Sequence, residues 1–250
     1  MKYFVFADPH GNYEALITAI TEMGYDESNT QHQLIGCGDY FGRATQSNPD
    51  CVSIWRYLTS PSHVNPPICI RGNHESILIN AIERRRLTKT DIPNGEHNTF
   101  ASFLGIYPNQ IKDDFYLQFD AAKVMKKCGF YDWLKSLPWY FETEHYIFTH
   151  GFVPLQWFDK KCKLSDLDDC EWNAASWAET PDYIWTLDRN HIKVDKTIVF
   201  GHWRAKELNE FAGRWEEKDG EIYLDKERNL IGLDITTVLS HKVGCIVIED

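Results

Sequence analysis

Apolar and polar positions alternate in blocks along the first third of the chain. Lys2 to Ala7 is a β-branched and aromatic run that predicts a strand, and Asp8-Pro9-His10-Gly11-Asn12 predicts a tight loop after it. From Tyr13 to Met23 the apolar residues Leu16, Ile17, Ile20 and Met23 fall at helical spacing, and Gly24 is placed to stop the helix. The unit then recurs. Gln33 to Cys37 predicts a second strand before Gly38-Asp39. Asn48 and Pro49 read as the cap and first residue of a helix carrying Val52, Trp55 and Leu58. Pro67 to Arg71 predicts a third strand, ended by Gly72-Asn73-His74-Glu75, with a helix from about Ser76 to Arg86.

Between Leu87 and about Leu137 the periodicity blurs into loops and short amphipathic helices, which reads as an insertion or cap within one domain spanning 1–250. Tyr146 to Thr149 and Thr197 to Phe200 predict further strands, running into His150-Gly151 and Gly201-His202, with a Trp-rich acidic stretch between them. Three β-like runs close the chain, at Glu221 to Leu224, Leu230 to Thr236 and Val243 to Ile248. Strands that alternate with helices and end in polar loops predict an α/β fold with its ligands at the strand ends.

Composition narrows the class. Hydrophobic residues make up 43% of the 250 positions and charged residues 25%, ordinary globular usage. The net charge of −11 argues against nucleic acid or an anionic membrane as the main partner. The seven Cys show no C-x-x-C pair, and Cys37, Cys69 and Cys245 lie in apolar runs, so the expectation is reduced, mostly buried thiols in a cytoplasmic protein. The first strand leaves no room for a signal peptide, and no apolar stretch reaches transmembrane length.

The residues just past the strands carry the chemistry: Asp8, His10, Asp39, Asn73, His74, His150 and His202. Each sits beside Gly or Pro, so the side chains can converge on one rim. Carboxylates, imidazoles and one amide oxygen suit Mn²⁺, Fe or Zn²⁺ better than a Ca²⁺ cage.

In these residues the chain resembles the phosphoprotein-phosphatase branch of the calcineurin-like metallophosphoesterases. That family shows Asp-x-His-Gly, Gly-Asp-x-x-Asp-Arg-Gly, Gly-Asn-His-Glu, His-Gly-Gly and Gly-His in order. Here they stand as Asp8-Pro9-His10-Gly11, Gly38-Asp39-Tyr40-Phe41-Gly42-Arg43, Gly72-Asn73-His74-Glu75, His150-Gly151-Phe152 and Gly201-His202. The resemblance implies a central β-sandwich flanked by helices in four layers. It implies two divalent metal ions, Mn²⁺ foremost, with Asp8 and His10 on one, Asp39 bridging, and Asn73, His150 and His202 on the other. It further implies His74 as general acid, Arg43 as a phosphate clamp, and direct attack of a metal-activated water on a phosphomonoester.

Two positions depart from the family. An Asp that orients the catalytic His stands where this chain has Gly42, so either His74 is less well oriented or another acid takes that place. The family's second phosphate-binding Arg has Arg189 as its nearest candidate here and Arg204 as the fallback. The implied substrate is a Ser/Thr or Tyr phosphoprotein or another phosphoester. The alternatives are a dinucleoside polyphosphate such as diadenosine tetraphosphate, or phosphate binding by a catalytically impaired scaffold.

Taken singly, several features have plainer readings. Asp8 and Asn12 would serve as helix caps, and Arg84-Arg85-Arg86 as the solvated end of a helix. Trp172, Trp177 and Trp185 read as core packing rather than a base-stacking surface. Asp166, Asp168 and Asp169 read as a solvated acidic run, and Cys162 and Cys170 have only proximity to suggest a redox pair.

Overall fold

The computed structural model describes residues 1–43, 50–158, 162–190, 192–215 and 220–250. Its strands are β1 (Lys2–Ala7), β2 (His32–Gly36), β3 (Ile68–Cys69), β4 (Tyr140–Glu142), β5 (Tyr146–Thr149), β6 (Thr197–Phe200), β7 (Tyr223–Asp225), β8 (Leu230–Gly232) and β9 (Gly244–Glu249). The first sheet has the order β3-β2-β1-β9, with β1, β2 and β3 parallel and β9 antiparallel to β1. The second has the order β4-β5-β6-β8-β7, with β5, β6 and β8 parallel between antiparallel edges.

Side-chain alternation explains how the sheets stack. Successive strand residues point to opposite faces. In β1, Val5 and Ala7 join Ile35, Cys37, Ile70, Phe148, Val199, Leu233 and Ile248 in a core between the sheets. Phe4 and Phe6 face the other way, onto a cluster with Leu16, Ile20 and Ile54. In β6, Val199 faces inward while Ile198 and Phe200 pack outward with Trp172, Ile184 and Leu208. The result is the expected α/β fold: two sheets face to face, with helices on both outer faces.

Helices α1 (Tyr13–Glu22), α2 (Cys51–Leu58) and α3 (Asn73–Arg84) follow the first three strands. Gly24, at φ 84°, closes the turn after α1 as its position predicts. Asn48 and Pro49 lie outside the described residues. The described cap of α2 is Asp50, whose carboxylate accepts from Ser53 N at 3.0 Å. Helix α3 begins three residues earlier than the sequence suggests, which puts Asn73 and His74 in its first turn.

The blurred stretch resolves into α4 (Glu96–Leu104), α5 (Pro108–Ile111), α6 (Phe115–Lys127) and α7 (Phe130–Ser136). These helices share the core of α1–α3. Phe41, Trp55, Phe103, Phe130 and Trp133 form an aromatic cluster with ring centroids as close as 4.4 Å. On the second sheet lie α8 (Asp169–Ala175), α9 (Thr180–Arg189) and α10 (Ala205–Phe211), and the short α11 (Thr237–Ser240) precedes β9.

Two expectations need correction. The run from Leu230 to Thr236 is strand only to Gly232, and the chain then leaves the sheet. Trp172 is buried, but Trp177 and Trp185 are 44% and 54% exposed, because each faces outward where Trp172 faces the sheet. The acidic run is solvated as expected, all three residues being exposed, and it also serves locally: Asp168 caps α8, Asp166 accepts from Lys163 N, and Asp169 accepts from Trp139 Nε1. Among the described residues no disulfide is formed, between Cys162 and Cys170 or elsewhere, and Cys37, Cys51, Cys69 and Cys245 are buried. Among the described residues no helix is long and apolar enough to cross a membrane.

Candidate metal centre

Every strand that runs parallel in the two sheets delivers a polar residue to the same rim. Asp8 and His10 follow β1, Asp39 follows β2, Asn73 opens the helix after β3, His150 follows β5, and His202 follows β6. Four of these, Asp8, His10, Asp39 and His202, hold left-handed backbone with φ between 45° and 63°. Non-glycine residues there are strained, and a buried loop keeps such a conformation only when its surroundings enforce it. Backbone bonds do so: Asp8 N donates to Gly38 O, His10 N to Asp39 O, and Gly11 N to Tyr40 O. Neither Asp8 nor Asn12 acts as the cap proposed for it. Asp8 accepts from His202 N, and Asn12 makes no side-chain cap bond to α1.

The six candidate ligands converge. His10 Nε2 lies 4.0 Å from Asp8 Oδ1 and 4.0 Å from Asp39 Oδ2. His150 Nε2 lies 3.2 Å from Asp39 Oδ1. The amide of Asn73 points one atom at both Asp39 oxygens (3.1 Å), His202 Nδ1 (3.2 Å) and His150 Nε2 (2.8 Å). If that atom is the oxygen, it faces acceptors from every side, an arrangement that a cation satisfies. By distance, two groups can each hold an ion: His10 with Asp39 and His74, and Asp39 with His150 and His202. Asp39 belongs to both.

Hydrogen bonds on the far sides of the rings fix which nitrogen faces inward. His10 Nδ1 lies 2.9 Å from Phe41 O, and His150 Nδ1 lies 2.8 Å from Cys37 O. A carbonyl only accepts, so Nδ1 carries the proton and Nε2 turns its lone pair to the centre, the usual outer support of a metal-bound imidazole. His74 differs. Its Nδ1 lies 2.7 Å from Glu96 Oε1, and its buried Nε2 has no partner, the nearest carboxylate being Asp39 Oδ2 at 3.8 Å.

Electrostatics tell the same story of crowded charge without a counter-ion. Burial and the carboxylate of Asp234 push Asp8 well above the usual carboxylate range. Burial would raise Asp39 too, but the charges of His150 and His74 hold it well below that range. His150, despite burial, is lifted to about 10 by Asp39 and Asp8. Burial lowers His202 to about 3 with help from the His150 charge. A proton on His150 thus stands where a metal cation would do the same work. The donor set fits divalent cations of the Mn²⁺, Fe or Zn²⁺ kind.

Glu75, fully buried, ties the rim together. Its carboxylate accepts from Asp39 N, Tyr40 N and Gly72 N at 2.8–2.9 Å, joining the loops after β2 and β3. Burial and the Asp39 charge still raise it to about 7.

The stretch after Leu87 builds one wall. A cavity of about 570 Å³ opens beside Arg43 and is otherwise lined by Ile92, Gly95, His97, Tyr107 and Lys112 among others. Arg43 is exposed and lines this cavity, and its charge is among the lesser influences that lower His74 and His202. The other two arginines are engaged elsewhere. Arg189 lies over the Trp185 ring, 5.0 Å from its centroid, and Arg204 pairs with Glu207 at 2.9 Å.

Sequence reading missed Asp234, Glu96 and Trp177. Asp234 follows β8 and is buried near Asp8; its signal was a polar residue after an apolar run, hidden by reading the strand too far. Glu96 had no local signal. Trp177 stands edge-on to His202, 6.4 Å between centroids.

A family model described as Calcineurin-like phosphoesterase matches residues 1–214. No curated protein matches the sequence. Among solved structures, a cold-active protein-tyrosine phosphatase of a psychrophilic Shewanella species superposes with a TM-score of 0.58 at 15% identity, covering 100% of this chain and 75% of that one. A candidate diadenosine tetraphosphatase gives 0.55 at 14% identity, covering 100% and 94%. At such identities these two share the fold.

Proposed function

The chain belongs to the calcineurin-like phosphoesterases, and from that premise we propose that it is a metal-dependent phosphatase hydrolysing phosphomonoesters, foremost those on Ser, Thr or Tyr of proteins. The observation that carries this reading is the convergence on Asp39 of His10 and His74 from one side and of His150 and His202 from the other, two groups each able to hold an ion. Asp8, His10 and Asp39 would hold one divalent ion, and Asp39, Asn73, His150 and His202 the other. Bound there, two cations supply the positive charge and the acidified water that phosphate esters require.

The chain's own residues supply the rest. Arg43 clamps the non-bridging oxygens, for which a guanidinium fork is shaped. His74 Nε2 gives its proton to the departing oxygen. Although His74 lies close enough to Asp39 to be a ligand, its Nδ1 meets the Glu96 carboxylate at 2.7 Å rather than a backbone carbonyl, which supports reading Nε2 as a proton donor instead. The remainder of the substrate occupies the open cavity beside Arg43, where Lys112 adds a second cation. The scaffold alternative rested on Gly42, and the 2.7 Å contact of Glu96 with His74 argues against it by offering that ring an acid partner.

A second reading, dinucleoside polyphosphate hydrolysis, draws on aromatics beside the centre: Trp177 next to His202, and Tyr107, 66% exposed, on the cavity rim. Either would stack a base. One experiment separates them: protein stripped with chelator, restored with Mn²⁺, and assayed side by side on a phosphopeptide and diadenosine tetraphosphate. Mn²⁺-dependent phosphate release from the peptide is expected. Preference for the dinucleotide moves the assignment to the second reading, and no turnover on either with metals bound overturns both.

A further inference from the structure

A glycine and a glutamate far apart in sequence solve one steric problem together. At Gly42 (φ 91°) a Cβ would fall on His74 Nδ1, so a side chain there cannot coexist with this ring position. The ring nitrogen instead meets Glu96 Oε1 at 2.7 Å, with His74 and Glu96 exposed by only 1% and 0%. Glu96 is the first residue of α4, whose first turn is docked on the same loop. Thr99 Oγ1 accepts from Gly42 N at 3.2 Å, and Asn98 Nδ2 donates to Gly42 O at 3.1 Å. A Cβ on Gly95 would meet the Arg43 backbone, so the start of α4 lies directly against the phosphate-clamp segment.

We infer that Glu96 is the positioning residue of the general acid: it holds the His74 ring with Nε2 toward the leaving-group oxygen. This deepens the phosphatase reading and rests on it. In the step, the Nε2–H bond breaks and an O–H bond forms on the departing oxygen. The ring keeps its remaining proton in the Nδ1–Glu96 hydrogen bond. A carboxylate behind an imidazole supports charge and orientation together, as in other acid–base pairs. The consequence is that the helical wall does more than shape the cavity. Gly95, His97 and Asn98 line that cavity while Glu96, between them, faces the opposite way onto His74.

The test is the leaving-group dependence of kcat/KM for Glu96→Gln. With Mn²⁺ restored, the variant and wild type are compared on 2,4-dinitrophenyl phosphate, p-nitrophenyl phosphate and phenyl phosphate. General acid catalysis contributes about 10²–10⁴-fold where the leaving group needs a proton. Glu96→Gln is therefore expected to lose about 10²-fold or more on phenyl phosphate, and only a few fold on the dinitrophenyl ester, with metal content unchanged. Glu96→Asp should recover part of the loss, and adding Glu96→Gln to His74→Asn should change little further, because residues acting as a unit are not additive. Equal losses on all three esters, or additivity with His74→Asn, would overturn the inference, as would wild-type rates in Glu96→Gln. Should Glu96→Gln not fold, Glu96→Asp carries the same comparison. A wild type inactive on every ester with every metal sinks the phosphatase reading itself, whereas an active wild type with a flat Glu96 series sinks only this inference.

Discussion

The strand-end rim and the helical wall of 87–137 meet at the same site but are built on different principles. On the rim, each candidate ligand stands one to four residues past a parallel strand, and its place follows from sheet geometry alone. Four of the six hold strained backbone, locked by bonds from neighbouring loops. In the wall, Glu96, His97, Asn98 and Thr99 are all buried although polar, and their places follow from tertiary docking of α4. The rim concentrates charge that needs a cation. The wall spends its polar groups on the loop at Gly42 and on His74. Under the proposed phosphatase reading, the rim would set whether chemistry is possible, and the wall how the leaving group is handled.

The sharpest way to break this division is Asp39→Asn. Asp39 is 2% exposed, belongs to both ion-holding groups, and accepts from His74 N at 3.0 Å. Losing one preorganised electrostatic group costs about 10²–10³-fold in rate, and a shared bridge should cost more. Activity is expected to fall by more than about 10³-fold on good and poor leaving groups alike, with metal content down on elemental analysis. Full activity in this variant would end the rim's role as metal centre. A loss confined to poor leaving groups would move Asp39 to the wall's side of the comparison.

These two regions also differ in how far the sequence reveals them. Asp8, His10, Asp39, Asn73, His150 and His202 could be grouped because each strand writes a local signature, an apolar run broken by Gly or Pro beside a ligand-type residue. Parallel pairing then brings those signatures to one edge without further information. Seven of the eight strands expected from the pattern lie within a residue or two of their predicted bounds, and β4 escaped because three residues after Leu137-Pro138 carry no period. Glu96 was invisible for a physical reason. Gly95-Glu96-His97-Asn98-Thr99 reads as a solvated polar stretch, and only contact with Gly42, more than fifty residues earlier, gives it a buried purpose. Trp177 failed the same way: an aromatic in a Trp-rich stretch is core by default, and its exposed seat beside His202 depends on where the loop after α8 lies.

A smaller effect, again on the rim, is the pH dependence of metal uptake. His150 is held protonated up to about 10 by Asp39 and Asp8, against the lowering effect of burial, while a metal ligand must offer a lone pair. Metal binding between about pH 7 and 9 therefore displaces a proton, and affinity should rise about tenfold per pH unit for each proton released. The sign for the metal-free fold is the opposite. A raised folded-state pKa contributes stability that is present below about 6.5, the unfolded value, and is lost as pH rises through about 10. Calorimetric titration with Mn²⁺ in two buffers of different ionisation enthalpy reads the proton count directly. A pH-independent affinity would mean that His150 is already neutral in the free protein.

The smallest expected effect belongs to the wall, and it sharpens the comparison by asking whether the cavity binds substrate or merely borders it. Lys112 and Tyr107 line the cavity on the side of α4 and α5, with Arg43 at its inner end. Neither residue touches a candidate ligand, so their removal should leave metal content unaltered. An interaction made equally in the bound substrate and in the transition state changes KM and spares kcat. Lys112→Ala is accordingly expected to raise KM for a phosphopeptide with an acidic residue beside the phosphorylated one by about three- to tenfold, at the scale of a surface charge pair. On p-nitrophenyl phosphate, whose aryl group carries no carboxylate for Lys112 to meet, it should be neutral. Tyr107→Ala probes the other occupant: a base stacked there is worth about 1–3 kcal/mol, a five- to hundredfold rise in KM for diadenosine tetraphosphate and none for the peptide. If both variants leave KM unchanged on both substrates, the cavity is only a border, and the wall's contribution to the site narrows to its hold on His74.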